Sequence, residues 1–193
     1  SGNSSQPCST SVARRTSICR RGRSACSRDS SSCGCRASLA TRIAEARETG
    51  TELAVVAFDL DHFKLINDRY THAAGDTVLR ETASVLRAHC RGSDLAARIG
   101  GEEFCAVLPR ADVPQALQAA ERLHRIVRAL RFEGEPDLRV AVSIGVATAQ
   151  PPGERADWAE QGRVLMARAD AALYRAKQNG RNQVRLWDET PAQ

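Results

Sequence analysis

Ile99-Gly100-Gly101-Glu102-Glu103-Phe104 is the stretch on which the reading of the fold turns. Two adjacent glycines between β-prone segments mark a tight reversal. Glycine tolerates the positive φ angles that a two-residue hairpin turn demands. Residues 95–99 and 102–108 are then the two arms of a hairpin. Two carboxylates stand where the second arm begins. Acids at the lip of a strand can hold a divalent cation against a phosphorylated ligand. For the turn alone, an ordinary hairpin with solvated acids is the other reading.

Upstream, residues 53–60 (Leu-Ala-Val-Val-Ala-Phe-Asp-Leu) form a near-continuous apolar run, as expected of a central strand buried on both faces. Asp59 and Asp61 lie at its C-terminal end, and a two-residue period places them on one side. A short helix is expected over 63–69. A longer one is expected from Asp76, a good N-cap, to about residue 89, burying Val78, Leu79, Thr82, Val85 and Leu86. Downstream, Asp112-Val113-Pro114-Gln115 has capping-box spacing and an early proline, so a helix runs to about residue 130. A β-rich run spans 138–148, with Val140, Val142, Ile144 and Val146 alternating with smaller residues. Pro151-Pro152-Gly153 interrupts the chain. A helix over 158–178 and a closing strand over 182–186 follow. With a first helix at 37–48, the order is helix, β, α, α, β, β, α, β, α, β. This predicts an α+β fold: a central, mostly antiparallel five-stranded sheet flanked by helices, related to the ferredoxin-like split βαβ plan.

Charge is unevenly placed. The net charge is +5, yet residues 1–38 carry +6 and the remainder −1. A near-neutral folded part argues against a nucleic-acid-binding face. Residues 1–36 are rich in Ser, Arg and Cys without periodicity, so a disordered or non-native basic tail is expected there, with a short tail over 188–193. Five of the seven cysteines (Cys8, Cys19, Cys26, Cys33, Cys35) lie in the first tail at spacings that fit no zinc pattern. No run approaches the ~18 apolar residues of a membrane span, and the chain reads as soluble and cytoplasmic.

Of 28 basic residues only Lys64 and Lys177 are lysine. Both neighbour polar signatures: Lys64 follows Asp59-Leu60-Asp61, and Lys177 precedes Asn179-Gly180-Arg181. Lysine offers a compact charge for a phosphate oxygen. If strand 53–60 pairs with the hairpin, Asp59, Glu102 and Glu103 fall at neighbouring strand ends. Their hard oxygens suit Mg2+, with Lys64, Lys177 and Arg181 facing a triphosphate and Gly180 letting backbone approach. Asn67 and Asp76 could read the donor and acceptor edges of guanine. They could equally cap a turn and a helix.

Asp59-Leu-Asp-His-Phe-Lys-Leu-Ile-Asn-Asp68, His72-Ala-Ala-Gly-Asp76, Arg91-Gly-Ser-Asp94, Arg98-Ile-Gly-Gly-Glu-Glu-Phe104, Ser143-Ile-Gly-Val-Ala147 and Ala172-Leu-Tyr-Arg-Ala-Lys-Gln-Asn-Gly-Arg-Asn182 stand in this order. Together they resemble the successive signatures of the diguanylate cyclase (GGDEF) domain family over residues 37–187. The resemblance implies a palm-like nucleotide-cyclase architecture and conversion of two GTP into cyclic di-GMP and two pyrophosphates. It implies Mg2+ or Mn2+ on Asp59, Glu102 and the Leu60 carbonyl, with Glu103 assisting the metal or activating the 3′-hydroxyl. It implies guanine contacts from Asn67 and Asp76, and phosphate contacts from Lys64, Lys177, Arg181 and the backbone at His62 and Phe63. Gly100 and Gly101 would border the bound GTP, and Asp59, Lys64, Glu102 and Glu103 would serve the chemistry. Arg91, Asp94 and Arg122 resemble an inhibitory product site. A homodimer would be needed for turnover, since each domain binds one GTP. A silent receptor for GTP or cyclic di-GMP is the rival reading, although the acids and glycines such proteins lose are all present. Two departures stand out. Residues 19–31 lack the family's opening segment, which a shifted reading frame would explain, and Thr71 replaces the usual glycine before the histidine.

Overall fold

The computed structural model describes residues 51–149 and 158–188. The helix expected at 37–48, the tail over 1–36, the break at 151–153 and the chain past Asp188 lie outside them.

β1 (Leu53–Leu60) is buried at all eight positions, as its apolar run requires. It is followed by α1 (Phe63–Arg69), α2 (His72–His89), β2 (Leu95–Arg98), β3 (Glu103–Pro109), α3 (Val113–Ala129), β4 (Val142–Ala149), α4 (Trp158–Gln178) and β5 (Val184–Leu186). The five strands form one sheet in the order β2-β3-β1-β4-β5. All pairs are antiparallel except β4 with β5.

The alternation along β1 divides the core between two faces. Ala54, Val56, Phe58 and Leu60 pack with Phe63 and Ile66 of α1, Val78, Leu79 and Leu86 of α2, and Ala116, Ala120, Leu123 and Val127 of α3. Leu53, Val55 and Ala57 pack on the other side with Cys105, Val107 and Ala147, and with Leu165, Ala169 and Leu173 of α4. Each buried Val, Leu or Phe contributes about 1.5–3 kcal/mol, so α4 is fixed to its face by packing along its length. Among the described residues no helix is long and apolar enough to cross a membrane.

Three expectations need correction. The second helix begins at His72, not Asp76. Thr71, in extended conformation, caps it by accepting the Ala74 N–H at 3.2 Å, so Asp76 lies inside the helix. The departure at position 71 thus supplies an N-cap in place of a glycine. The β-rich run becomes a strand only at Val142, because its partner β1 ends at Leu60, opposite Val142. Leu138 and Val140 are buried without a ladder. The closing strand starts at Val184 because Gly180, Arg181 and Asn182 all have positive φ, which no strand accommodates. The cap at Asp112, by contrast, forms as read: its carboxylate accepts the Gln115 N–H at 2.8 Å.

Candidate active site

The acids stand on neighbouring strands at the C-terminal end of β1. Asp59 lies directly opposite Glu103 in the β1–β3 register, and the Leu60 N–H donates to the Glu102 carbonyl at 3.3 Å. The backbone ladder therefore sets both glutamates of the turn beside the tip of β1. Asp59 is 6% exposed. Its Oδ2 lies 2.8 Å from Lys177 Nζ, at the end of α4. A phosphate-type lysine thus sits on a metal-type acid and offsets the like charge across the pair. Glu102 is half-buried and Glu103 exposed. A fourth acid, Asp170, was not singled out from the sequence. Burial first, and the Glu103 carboxylate second, raise its pKa above the ordinary carboxylate range. Its spacing of seven from Lys177, two turns of one helix face, was the legible signal.

The glycine turn differs from the expected two-residue form. Residues 99–102 separate the strands, and the N–H groups of Ile99 and Gly100 both donate to the Glu103 carbonyl, at 2.9 and 3.3 Å. Neither Gly100 nor Gly101 takes a positive φ. Arg98 closes the turn instead: its Nε donates to the carbonyls of Gly100 (3.1 Å) and Gly101 (3.0 Å), and its Nη2 donates to Gly101 as well. A Cβ at Gly100 would stand 2.3 Å from Glu103 Oε2, the end of an exposed side chain that can swing aside.

The cationic side is built from two elements. His62 adopts φ 56° at the head of α1, and the first turn of a helix leaves N–H groups without intrahelical acceptors. Lys64 is exposed in that turn. Opposite, α4 ends in a left-handed run with Gly180 at φ 99°, Arg181 at 60° and Asn182 at 48°. The Arg181 N–H donates to Ala176 O (2.9 Å), while Gln183 Nε2 donates to Ala176 O (2.9 Å) and Asn179 O (2.7 Å). Buried Asp61 ties this turn to the sheet. Its Oδ2 accepts the Asn182 N–H at 2.9 Å and its Oδ1 accepts the Ser143 hydroxyl at 2.7 Å. The His124 ring contacts Asn182 Oδ1 from α3 at 3.1 Å. Sequence reasoning noticed Asp61 but gave it no task, because its partners are 82 and 121 residues away. Asp61→Ala strips the acceptor from both donors. The expected cost is about 2 kcal/mol, read by urea denaturation.

The Asn67 side chain of α1 lies against Gly75 of α2, the residue before Asp76 in the chain. Asp76 is exposed. Arg91, Asp94 and Arg122 form a separate patch. The Asp94 carboxylate accepts the backbone N–H of Arg91 at 2.7 Å. Among the described residues no ion pair engages the Arg91 guanidinium, so Arg91 and Asp94 are joined through backbone groups of Arg91. Arg122 Nη2 donates to the His89 carbonyl at 3.2 Å. Cys90, between them, has its thiol pushed up to about 11 by burial and then by Asp94, with Arg122 partly offsetting.

Asp59, Glu102, Glu103 and the Leu60 carbonyl are hard oxygen donors at adjacent strand ends, a set that fits a small divalent cation sharing its ligands with phosphate. Among the described residues no three Asp, Glu, His or Cys side chains converge as a ready metal cluster. This agrees with Asp59 being held by Lys177.

Solved structures share this fold. The GGDEF domain of DgcB from Caulobacter crescentus, in complex with c-di-GMP, is 35% identical with a TM-score of 0.69, the match covering 78% of this chain and 86% of that one. The active GGEEF domain of a diguanylate cyclase from Vibrio cholerae is 30% identical with a TM-score of 0.71, covering 80% and 94%. The architecture is that of the palm-like nucleotide cyclases. The chain belongs to the diguanylate cyclase GGDEF domain family, whose model matches residues 34–183. Diguanylate cyclase A of Treponema denticola is 41% identical over 144 residues, 74% of this chain and 36% of that protein. DosC of Escherichia coli is 40% identical over 150 residues, 75% of this chain and 30% of that protein. The chain thus spans about a third of the length of these curated relatives.

Proposed function

We propose that this chain is a catalytic diguanylate cyclase domain acting in the cytoplasm. It condenses two GTP into cyclic di-GMP and two pyrophosphates. The observation that carries the reading is the register of β1 with β3, which sets Asp59 against Glu103 and the Leu60 N–H on the Glu102 carbonyl, with Lys177 on Asp59. Asp59, Glu102 and the Leu60 carbonyl would hold Mg2+ or Mn2+, which supplies charge neutralisation at the triphosphate when bound. Lys64, Lys177, Arg181 and the amides at His62 and Phe63 bind the phosphates, beside Gly100 and Gly101. Asn67 and Asp76 hold the guanine. The 3′-hydroxyl oxygen of one GTP attacks the α-phosphorus of the other. The bond from that phosphorus to the pyrophosphate oxygen breaks, and Glu103 takes the hydroxyl proton. The reciprocal step closes the ring. One GTP per domain means two copies must face each other, so a homodimer is part of this reading.

Incubation of the chain with GTP and Mg2+, with ATP as control, tests it: cyclic di-GMP and pyrophosphate are expected from GTP alone, and their absence would leave a receptor domain. Product inhibition is assigned to Arg91, Asp94 and Arg122, whose guanidinium groups suit phosphates and guanine edges. Arg91→Ala should raise the cyclic di-GMP concentration for half-inhibition about tenfold or more. An unchanged inhibition curve would remove the site.

A further inference from the structure

Glycine is among the weakest helix formers, and Gly75 stands inside α2, where its N–H donates to the Thr71 carbonyl at 3.1 Å. Its φ is not in the left-handed region, so the backbone does not demand glycine. The side chain does. A Cβ built on Gly75 would lie 1.9 Å from Asn67 Oδ1, 3.0 Å from Asn67 Cγ and 3.2 Å from Phe63 Cζ. The space a methyl group would fill holds the Asn67 carboxamide. Asp76 is the next residue along the chain. A position that violates local propensity without a backbone reason marks a functional demand.

We propose that Gly75 is a positioning residue for base selection, on the guanine reading of Asn67 and Asp76. By lacking a Cβ it lets the Asn67 carboxamide lie against α2 beside Asp76, so that both face one edge of the purine. Alanine at position 75 would drive the carboxamide off the helix. The two closest obstructing atoms are the far end of the Asn67 side chain, which can rotate away, and the Phe63 ring at 3.2 Å has to give by only a few tenths of an ångström. Alanine is also the better helix former. Stability and selectivity are therefore expected to move in opposite directions, which a merely structural glycine would not produce.

The test uses the full chain and the α,β-methylene analogues of GTP and ATP, which cannot release pyrophosphate. For Gly75→Ala, the guanosine analogue should bind about tenfold or more weakly, the loss expected when a polar reader is displaced. The adenosine analogue should bind within about twofold of the parent, since its base makes no use of that reader. The thermal midpoint should be equal or higher. Unchanged binding of the guanosine analogue overturns the inference, as does equal loss for both nucleotides or a lowered midpoint. Asn67→Ala separates the two layers. If it leaves the guanosine-to-adenosine ratio unchanged, the guanine reading itself fails and this inference with it. If it collapses the ratio while Gly75→Ala does not, the inference alone fails. In Asn67→Ala/Gly75→Ala the methyl group no longer meets a carboxamide, so no further loss of selectivity is expected beyond that of Asn67→Ala. Additive losses would overturn it.

Discussion

Glu102→Ala should lower cyclic di-GMP formation by a factor of about 10^3 or more, the scale on which a preorganised charge-stabilising group acts in phosphoryl transfer. Its thermal midpoint should stay close to that of the parent. The combination follows from where the residue sits. Its backbone carbonyl is fixed by Leu60, so the main chain survives the substitution. Its side chain is half-buried and makes no ion pair among the described residues. Asp59 would be a poorer test. It is buried on Lys177, and removing it confounds lost metal binding with the loss of its ion pair to that partly exposed lysine. Chromatography of products from GTP and Mg2+ reads the first quantity and a thermal melt the second. Retained synthesis would take Glu102 out of the metal set.

Gly145→Val is expected to cost about 3 kcal/mol or more, at the upper end of overpacking effects. For a chain of this size that is roughly 6–12 °C in Tm. Gly145 lies in β4, opposite Ala57 of β1. A Cβ there would meet Ala169 O at 2.1 Å, Leu173 N at 2.3 Å and Leu173 Cα at 2.9 Å. These are backbone atoms of α4, which cannot rotate away as a side chain can. The helix must lift from the sheet, and Lys177 and Asp170 lift with it. GTP binding is expected to weaken in the same variant. A Tm within about 2 °C of the parent, less than a 1 kcal/mol effect, would show that α4 tolerates the shift.

The elements legible in advance were those whose pattern answers to local rules. β1 and α4 appeared at their observed limits, since an unbroken apolar run and a long helical period leave little choice. The hairpin was placed correctly but its turn was not. Glycine was assumed to serve φ, whereas neither glycine takes a positive φ and Arg98 supplies the closure. Asp76 was a plausible N-cap by residue type, but Thr71, five residues earlier, forms the cap and the helix runs from His72. Propensity cannot choose between two competent caps; packing of α2 on α1 does. The acids, lysines and guanine readers were listed from motif and resemblance. The structure adds which of them touch: Lys177 with Asp59, and Asn67 with Gly75.

By itself the sequence determined the order of strands and helices, the polar residues at the site and the family resemblance, because hydrophobic periodicity and residue chemistry are local properties of the chain. Only the tertiary structure decided that Asp61 anchors the Arg181 turn, that Asp170 feels the Glu103 charge and that Gly75 makes room for Asn67. Each of these depends on through-space distance between segments brought together by sheet register and helix packing, and separation along the chain carries no measure of that distance.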